Sequence, residues 1–138
     1  MLFAWIVNAL ALAFGAFLGA RALLDPNWAQ RFVRLKPDEQ GGGFAEFRAT
    51  YGGVFAFAHL AALALTLLSL LGGEYVLGVA ATGAAFALAA AWTGSSFGRL
   101  IAIWRDGADT PFNRMSAGVE ALLALAIGAP WLAWVLVY

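Results

Sequence analysis

The chain has 138 residues, of which 63% are hydrophobic and only 12% are charged, and its formal net charge is zero. A soluble domain is about 45–50% apolar and about 25% charged, so this composition excludes an ordinary soluble fold and indicates that lipid is the solvent. Neutrality argues against a nucleic-acid-binding protein. The lack of cysteine and the single histidine exclude disulfides, thiolate sites and multi-histidine metal or haem sites. We therefore predict no cofactor and no metal.

Four apolar stretches are long enough for transmembrane helices, which need about 20 residues each. In chain order they cover about residues 2–23, 44–71, 75–104 and 112–138. Turn-forming residues separate them, and a kink is expected at Pro130. The sequence thus predicts an all-α integral membrane protein, a single domain over residues 1–138 that forms an up-and-down bundle of four transmembrane helices.

The connection between the first two stretches is amphipathic. Over about residues 27–36, aromatic and aliphatic side chains alternate with Arg31, Arg34 and Lys36. This mixture is typical of a segment that lies in the membrane interface.

The basic residues are confined to the first and third connections and to the helix ends beside them. Because cytoplasmic loops carry the excess of Lys and Arg, we predict a multi-pass membrane protein with both termini on the non-cytoplasmic side. The residues concerned are Arg21, Arg31, Arg34, Lys36, Arg48, Arg99, Arg105 and Arg114. The Ala- and Gly-rich composition makes a bacterial inner membrane the expected location.

Polar residues recur at helical spacing, three, four or seven apart, so each predicted helix has one polar or small face. In lipid such faces turn inward. Together they predict a polar seam near the cytoplasmic end of the bundle, formed by Arg48, Tyr51, Ser95, Ser96, Arg99 and Glu120. Glu120 is the expected neutralising partner of Arg48. Gly52 and Gly53 let a neighbouring helix come close, and the GxxxG pair Gly15 and Gly19 of the first helix is expected to supply that approach.

Two interpretations of the seam remain open. Its charges form an ion-paired triad that fixes helix register, or the surplus of one positive charge binds the phosphate or carboxylate of an anionic lipid or amphiphile. His59 is either an interior, hydrogen-bonded histidine or a group that titrates in a proton relay.

Short motifs then suggest a family. They are FRATYGG over residues 47–53, Gly98-Arg99-Leu100, Asp106-Gly107 and Glu120. In order and spacing they resemble an uncharacterised bacterial family of four-helix integral membrane proteins, domain of unknown function 4345. The resemblance implies a four-helix fold and no particular activity.

The sequence shows no Ser-His-acid set with a plausible geometry, no paired carboxylates at one depth, no phosphate loop and no HExxH motif, so an enzyme is less expected than a non-enzymatic module. The leading hypothesis is a small membrane protein whose seam binds an anionic amphiphile or docks a partner membrane protein. The alternatives are a dimeric small-solute or proton-coupled transporter, and a lipid-modifying membrane enzyme.

Overall fold

A computed structural model of the chain describes residues 1–36, 40, 42–72 and 75–137, and within them every regular element is helical. The predicted all-α class is confirmed. The elements are α1 (Leu2–Leu24), α2 (Pro26–Val33), α3 (Gly42–Glu46), a π-helical segment (Phe47–Val54), α4 (Phe55–Leu70), α5 (Tyr75–Arg105), α6 (Pro111–Ile127) and α7 (Ala129–Val137).

Three helical stretches are long and apolar enough to cross a membrane: Leu2–Leu24, Gly43–Leu70 and Tyr75–Arg105. Their ends agree to within one residue with the predicted stretches 2–23, 44–71 and 75–104. A fourth candidate consists of α6 and α7, which are bent by 61° where they meet. The structure therefore agrees with an integral membrane protein of three or four spans.

The bend between α6 and α7 has a local cause. Pro130 has no N–H, and its ring clashes with the carbonyl four residues earlier in a straight helix. Asn8 donates from Nδ2 to the Ile127 carbonyl at the bend (2.5 Å) and accepts from Thr66 Oγ1 (2.9 Å). Asn8 and Thr66 are fully buried. The predicted kink is present, and a buried hydrogen-bonded link holds it.

The described residues pack as two compact units. Unit 1 combines residues 1–11 with 65–138, and unit 2 is formed by residues 12–64. In unit 1, α5 and α6 form a helical hairpin. The Thr110 hydroxyl accepts from the Asn113 backbone N–H (3.2 Å), and Pro111 occupies the first turn of α6, where its missing N–H costs nothing.

In unit 2, glycines bring α1 against the second span at very short range. A Cβ added to Gly19 would lie 2.3 Å from the backbone nitrogen of Ala56, and one added to Gly52 would lie 2.7 Å from the Leu23 Cα. The two helices therefore touch through their backbones, as the GxxxG pattern predicts. Gly52 lies inside the π-helical segment, which no pattern in the sequence predicts.

The predicted interfacial segment is the helix α2. Asp25 caps it by accepting from the Trp28 N–H (3.0 Å), and it ends at Arg34, which has a left-handed backbone (φ 61°). Its inner side packs on a small apolar core formed by Ala22, Ala29 and Phe47, with Trp28, Val33, Phe44 and Tyr51 around it.

Candidate functional site

The ion pair between α5 and α6 is the most buried charged feature of unit 1. Arg99 Nε contacts both carboxylate oxygens of Glu120, at 3.2 and 3.0 Å, and Nη2 contacts Oε1 at 2.6 Å. The Glu120 side chain is 9% exposed and that of Arg99 31%. Such a forked geometry is the strong form of an Arg–carboxylate pair. The pair is neutral as a whole.

Polar neighbours complete this cluster. The Ser96 hydroxyl donates to the Ala117 carbonyl (2.9 Å), which ties the same two helices together. Asn113 donates to the Ala108 carbonyl (2.7 Å), and its Oδ1 lies 3.5 Å from Arg99 Nη1. The arrangement fixes the register of α5 on α6 through groups that are buried or half-buried.

The structure brings together three of the six predicted seam residues: Ser96, Arg99 and Glu120. Ser95 is exposed although its neighbour Ser96 is buried, so it lies outside the cluster. Arg48 and Tyr51 belong to unit 2. Tyr51 packs there against the apolar core, with its ring centroid 6.0 Å from that of Phe47.

Arg48 has a hydrogen-bond partner within unit 2. Its Nη1 donates to the carbonyl of Leu23, in the last turn of α1. Carbonyls at a helix C-terminus lack intrahelical donors, and a cation there also interacts favourably with the helix dipole. Arg99 pairs with Glu120 within unit 1, and Arg48 caps α1 within unit 2. The expectation that Glu120 neutralises Arg48 stays a prediction.

Unit 2 carries a group of exposed basic side chains around α2. The guanidinium of Arg21 lies 4.9 Å from the centre of the Trp28 ring. Four of these side chains form no ion pair with a described residue. We call these four the basic surface: Arg21, Arg31, Lys36 and Arg48.

The described carboxylates of unit 2 have local partners. Asp25 accepts from the backbone of α2, and Glu46 accepts from the Thr50 hydroxyl one turn away.

Unit 1 contains an exposed ion pair between residues that are close in the sequence. Arg114 donates to both oxygens of Asp109 at 2.6 and 2.8 Å, and these bonds hold the pKa of Asp109 below its usual range.

His59 is buried in unit 2. Its Nδ1 lies 2.7 Å from the Phe55 carbonyl, so Nδ1 carries the hydrogen and donates it, because a carbonyl only accepts. The ring packs on Gly15, and a Cβ there would lie 2.2 Å from His59 Cδ2. This bond agrees with the interior, hydrogen-bonded interpretation. The proton relay stays a prediction.

Within the described ranges, no three His, Cys, Asp or Glu side chains are grouped to hold a metal ion. Comparisons with protein-family models, with curated proteins and with solved structures found no match to this chain. The resemblance to the four-helix family stays a prediction that rests on its short motifs.

Proposed function

We propose that this chain is a non-enzymatic, multi-pass protein of a bacterial inner membrane whose basic surface binds the head groups of anionic lipids or related amphiphiles. The observation that carries the proposal is the combination of exposed basic side chains, which form no ion pair with a described residue, with exposed apolar side chains in α2 and just after its end. Arg31 and Lys36 lie beside Phe32 and Leu35, which are 48% and 50% exposed.

The chemistry of the basic surface suits a phosphate at a lipid interface. Arginine presents donors in a planar fork that matches phosphate oxygens. Trp28 and Phe32 stack with their ring centroids 4.8 Å apart, and aromatic rings favour the head-group level of a bilayer. The acyl chain of a lipid would pack against these rings while its head group contacts the guanidinium groups. One lipid would then engage both the apolar and the basic side chains of this surface.

The predicted topology places this surface at the correct leaflet. Both basic connections are assigned to the cytoplasm, with both termini outside, in a bundle of four spans in which α6 and α7 form the bent fourth. The cytoplasmic leaflet is the one that carries anionic lipid and attracts basic segments. The membership of the four-helix family is part of the same proposal.

The Arg99–Glu120 pair has a structural role in this account. Its charges neutralise each other in a forked contact, and Ser96 and Asn113 connect the same elements. We therefore assign it to the packing of α5 on α6 and assign anion binding to unit 2.

Replacing Arg31 and Lys36 together by alanine is expected to lower the affinity for anionic lipid about 30-fold. Each basic residue near an anionic surface contributes about 1 kcal/mol, which is roughly five-fold per residue, and neither side chain has a described ion-pair partner whose loss would disturb the fold. The measurement is native mass spectrometry of the protein in a gentle detergent, titrated with phosphatidylglycerol and, separately, with phosphatidylcholine.

Arg105→Ala provides the matched control, because Arg105 is an exposed basic residue of unit 1, outside the basic surface. It should bind phosphatidylglycerol as the wild type does. Arg48→Ala should lose both lipid and stability, since it also removes the cap on α1. Equal retention of phosphatidylglycerol by the wild type and the double variant would contradict the proposal, and would move the search to a partner membrane protein docked at this surface.

A further inference from the structure

A second candidate site lies within unit 1, independent of the basic surface. It is a partly open cavity of about 610 Å³ between the first turns of α1, the end of α4, the start of α5, and α7. That volume lies in the range of small-ligand sites, which is about 300–1,000 Å³.

The bend at Pro130 is one reason that the cavity exists. Pro130 itself lines it, and the turned helix α7 contributes Trp131 and Trp134, which lie three residues apart on one helix face. Opposite them, Gly78 and Gly83 of α5 contribute no side chain to the wall. A straight fourth span with larger residues on α5 would leave less room.

The lining is rich in aromatic side chains, and none of its described side chains is charged. Trp5 and Tyr75 join the two tryptophans of α7, and no Asp, Glu, Lys, Arg or His occurs among the described residues that line the cavity. An ion inside it would have no side-chain counter-charge, and burying an unpaired charge is costly. The lining thus favours a neutral occupant with a flat or flexible apolar body.

Several polar groups of the lining can donate hydrogen bonds. The Ser69 hydroxyl and the indole N–H groups of Trp5 and Trp131 have no hydrogen-bond partner in the described part of the chain. An indole N–H only donates. The Thr82 hydroxyl already donates to the Gly78 carbonyl (2.8 Å), so it adds only an acceptor.

We infer that this cavity binds an uncharged amphiphile whose polar head offers carbonyl oxygens to the free donors, with its apolar body against the tryptophans. Two sources supply that chemistry: the ester carbonyls of a diacylglycerol and the ring carbonyls of a quinone. The site shares no residue with the basic surface, so it stands or falls separately from the proposed function.

The test is a titration of the full chain in detergent with dioctanoylglycerol and, in a parallel arm, with a short-chain benzoquinone. Tryptophan fluorescence follows binding, and mutual competition shows whether the two share a site. We expect saturable binding in at least one arm, and the tighter ligand identifies the source of the carbonyl.

Gly83→Leu should weaken this binding at least ten-fold by filling the cavity. An added Cβ at Gly83 meets nothing within 4 Å, and leucine favours a helix over glycine, so the fold is retained. Gly94→Leu is the matched control, because Gly94 lies on the same helix, is equally free of neighbours, and is outside the cavity. It should bind as the wild type does.

Three outcomes would overturn the inference. They are the lack of saturable binding in both arms, equal binding by Gly83→Leu and the wild type, and displacement of the ligand with equal affinity by dodecyltrimethylammonium or dodecyl phosphate. The last result would show that the site does not discriminate against charge.

Discussion

Glu120→Ala is expected to lower the free energy of unfolding by about 3 kcal/mol. Removing one member of a buried ion pair costs about 3–5 kcal/mol, because the remaining charge stays buried without compensation. The lower end applies here because Arg99 is 31% exposed. Unfolding by sodium dodecyl sulfate in mixed micelles, followed by circular dichroism, measures the change.

A double replacement shows whether the destabilisation comes from leaving one charge of the pair without its partner. Arg99→Met with Glu120→Leu removes both charges and keeps similar volume, and such replacements are often neutral or stabilising. We expect this double variant to recover most of the stability that Glu120→Ala loses. Asp109→Ala, which breaks the exposed pair with Arg114, should leave the unfolding free energy nearly unchanged. A Glu120→Ala protein as stable as Asp109→Ala would refute the structural assignment of the pair.

Gly19→Ala is expected to destabilise unit 2 by about 1–3 kcal/mol or more, the usual range for overpacking. The new methyl group would lie 2.3 Å from the Ala56 nitrogen and 2.7 Å from its Cα. These are backbone atoms, so no rotamer change relieves the clash and α1 must move away from α4. The same unfolding titration detects the loss.

Gly94→Ala tests whether the close contact, and not glycine itself, is responsible. An added Cβ at Gly94 meets nothing within 4 Å, and alanine is favoured over glycine inside a helix by up to about 1 kcal/mol. This variant should be as stable as the wild type or more so. If Gly19→Ala matched it, the backbone contact between α1 and α4 would be wrong.

The sequence predicted those parts of the structure that depend on local pattern. Apolar run length located the first three helices that are long enough to cross a membrane, the Gly15–Gly19 spacing located a close helix contact, and Pro130 located the bend. The alternation of aromatic and basic residues predicted α2. Glu120 and Arg99 were each assigned to the inward face of their helix, and their mutual contact follows from the short link between α5 and α6.

The contacts that the sequence did not predict depend on how helices that are distant in the sequence lie beside each other. Arg48 caps α1 because the C-terminus of α1 meets the second span at that level, and no spacing within the second span encodes this. The link from Asn8 to Ile127 joins residues 119 positions apart. Ser95 and Ser96 point about 100° apart on a helix, so only the packing of α6 decides which is buried.

The π-helical segment is a further case. Its residues include Gly52 and Gly53, which are weak α-helix formers, but a glycine pair alone does not distinguish a π-turn from an ordinary helix. The contact of Gly52 with Leu23 accompanies the wider turn. Such turns occur frequently at functional sites, and this one contains Arg48 of the basic surface.

The central claim is that the basic connections lie on the cytoplasmic side of a membrane that these helices span. The chain contains no cysteine, so single cysteines can be introduced without background at Leu35, Leu71 and Asp106, all of which are exposed. The measurement is labelling of bacterial spheroplasts with a membrane-impermeant maleimide, before and after lysis. We predict that Leu71→Cys is labelled in intact spheroplasts, while Leu35→Cys and Asp106→Cys are labelled only after lysis. Labelling of Leu35→Cys and Asp106→Cys before lysis would contradict the account, because the basic surface would then face away from the anionic leaflet.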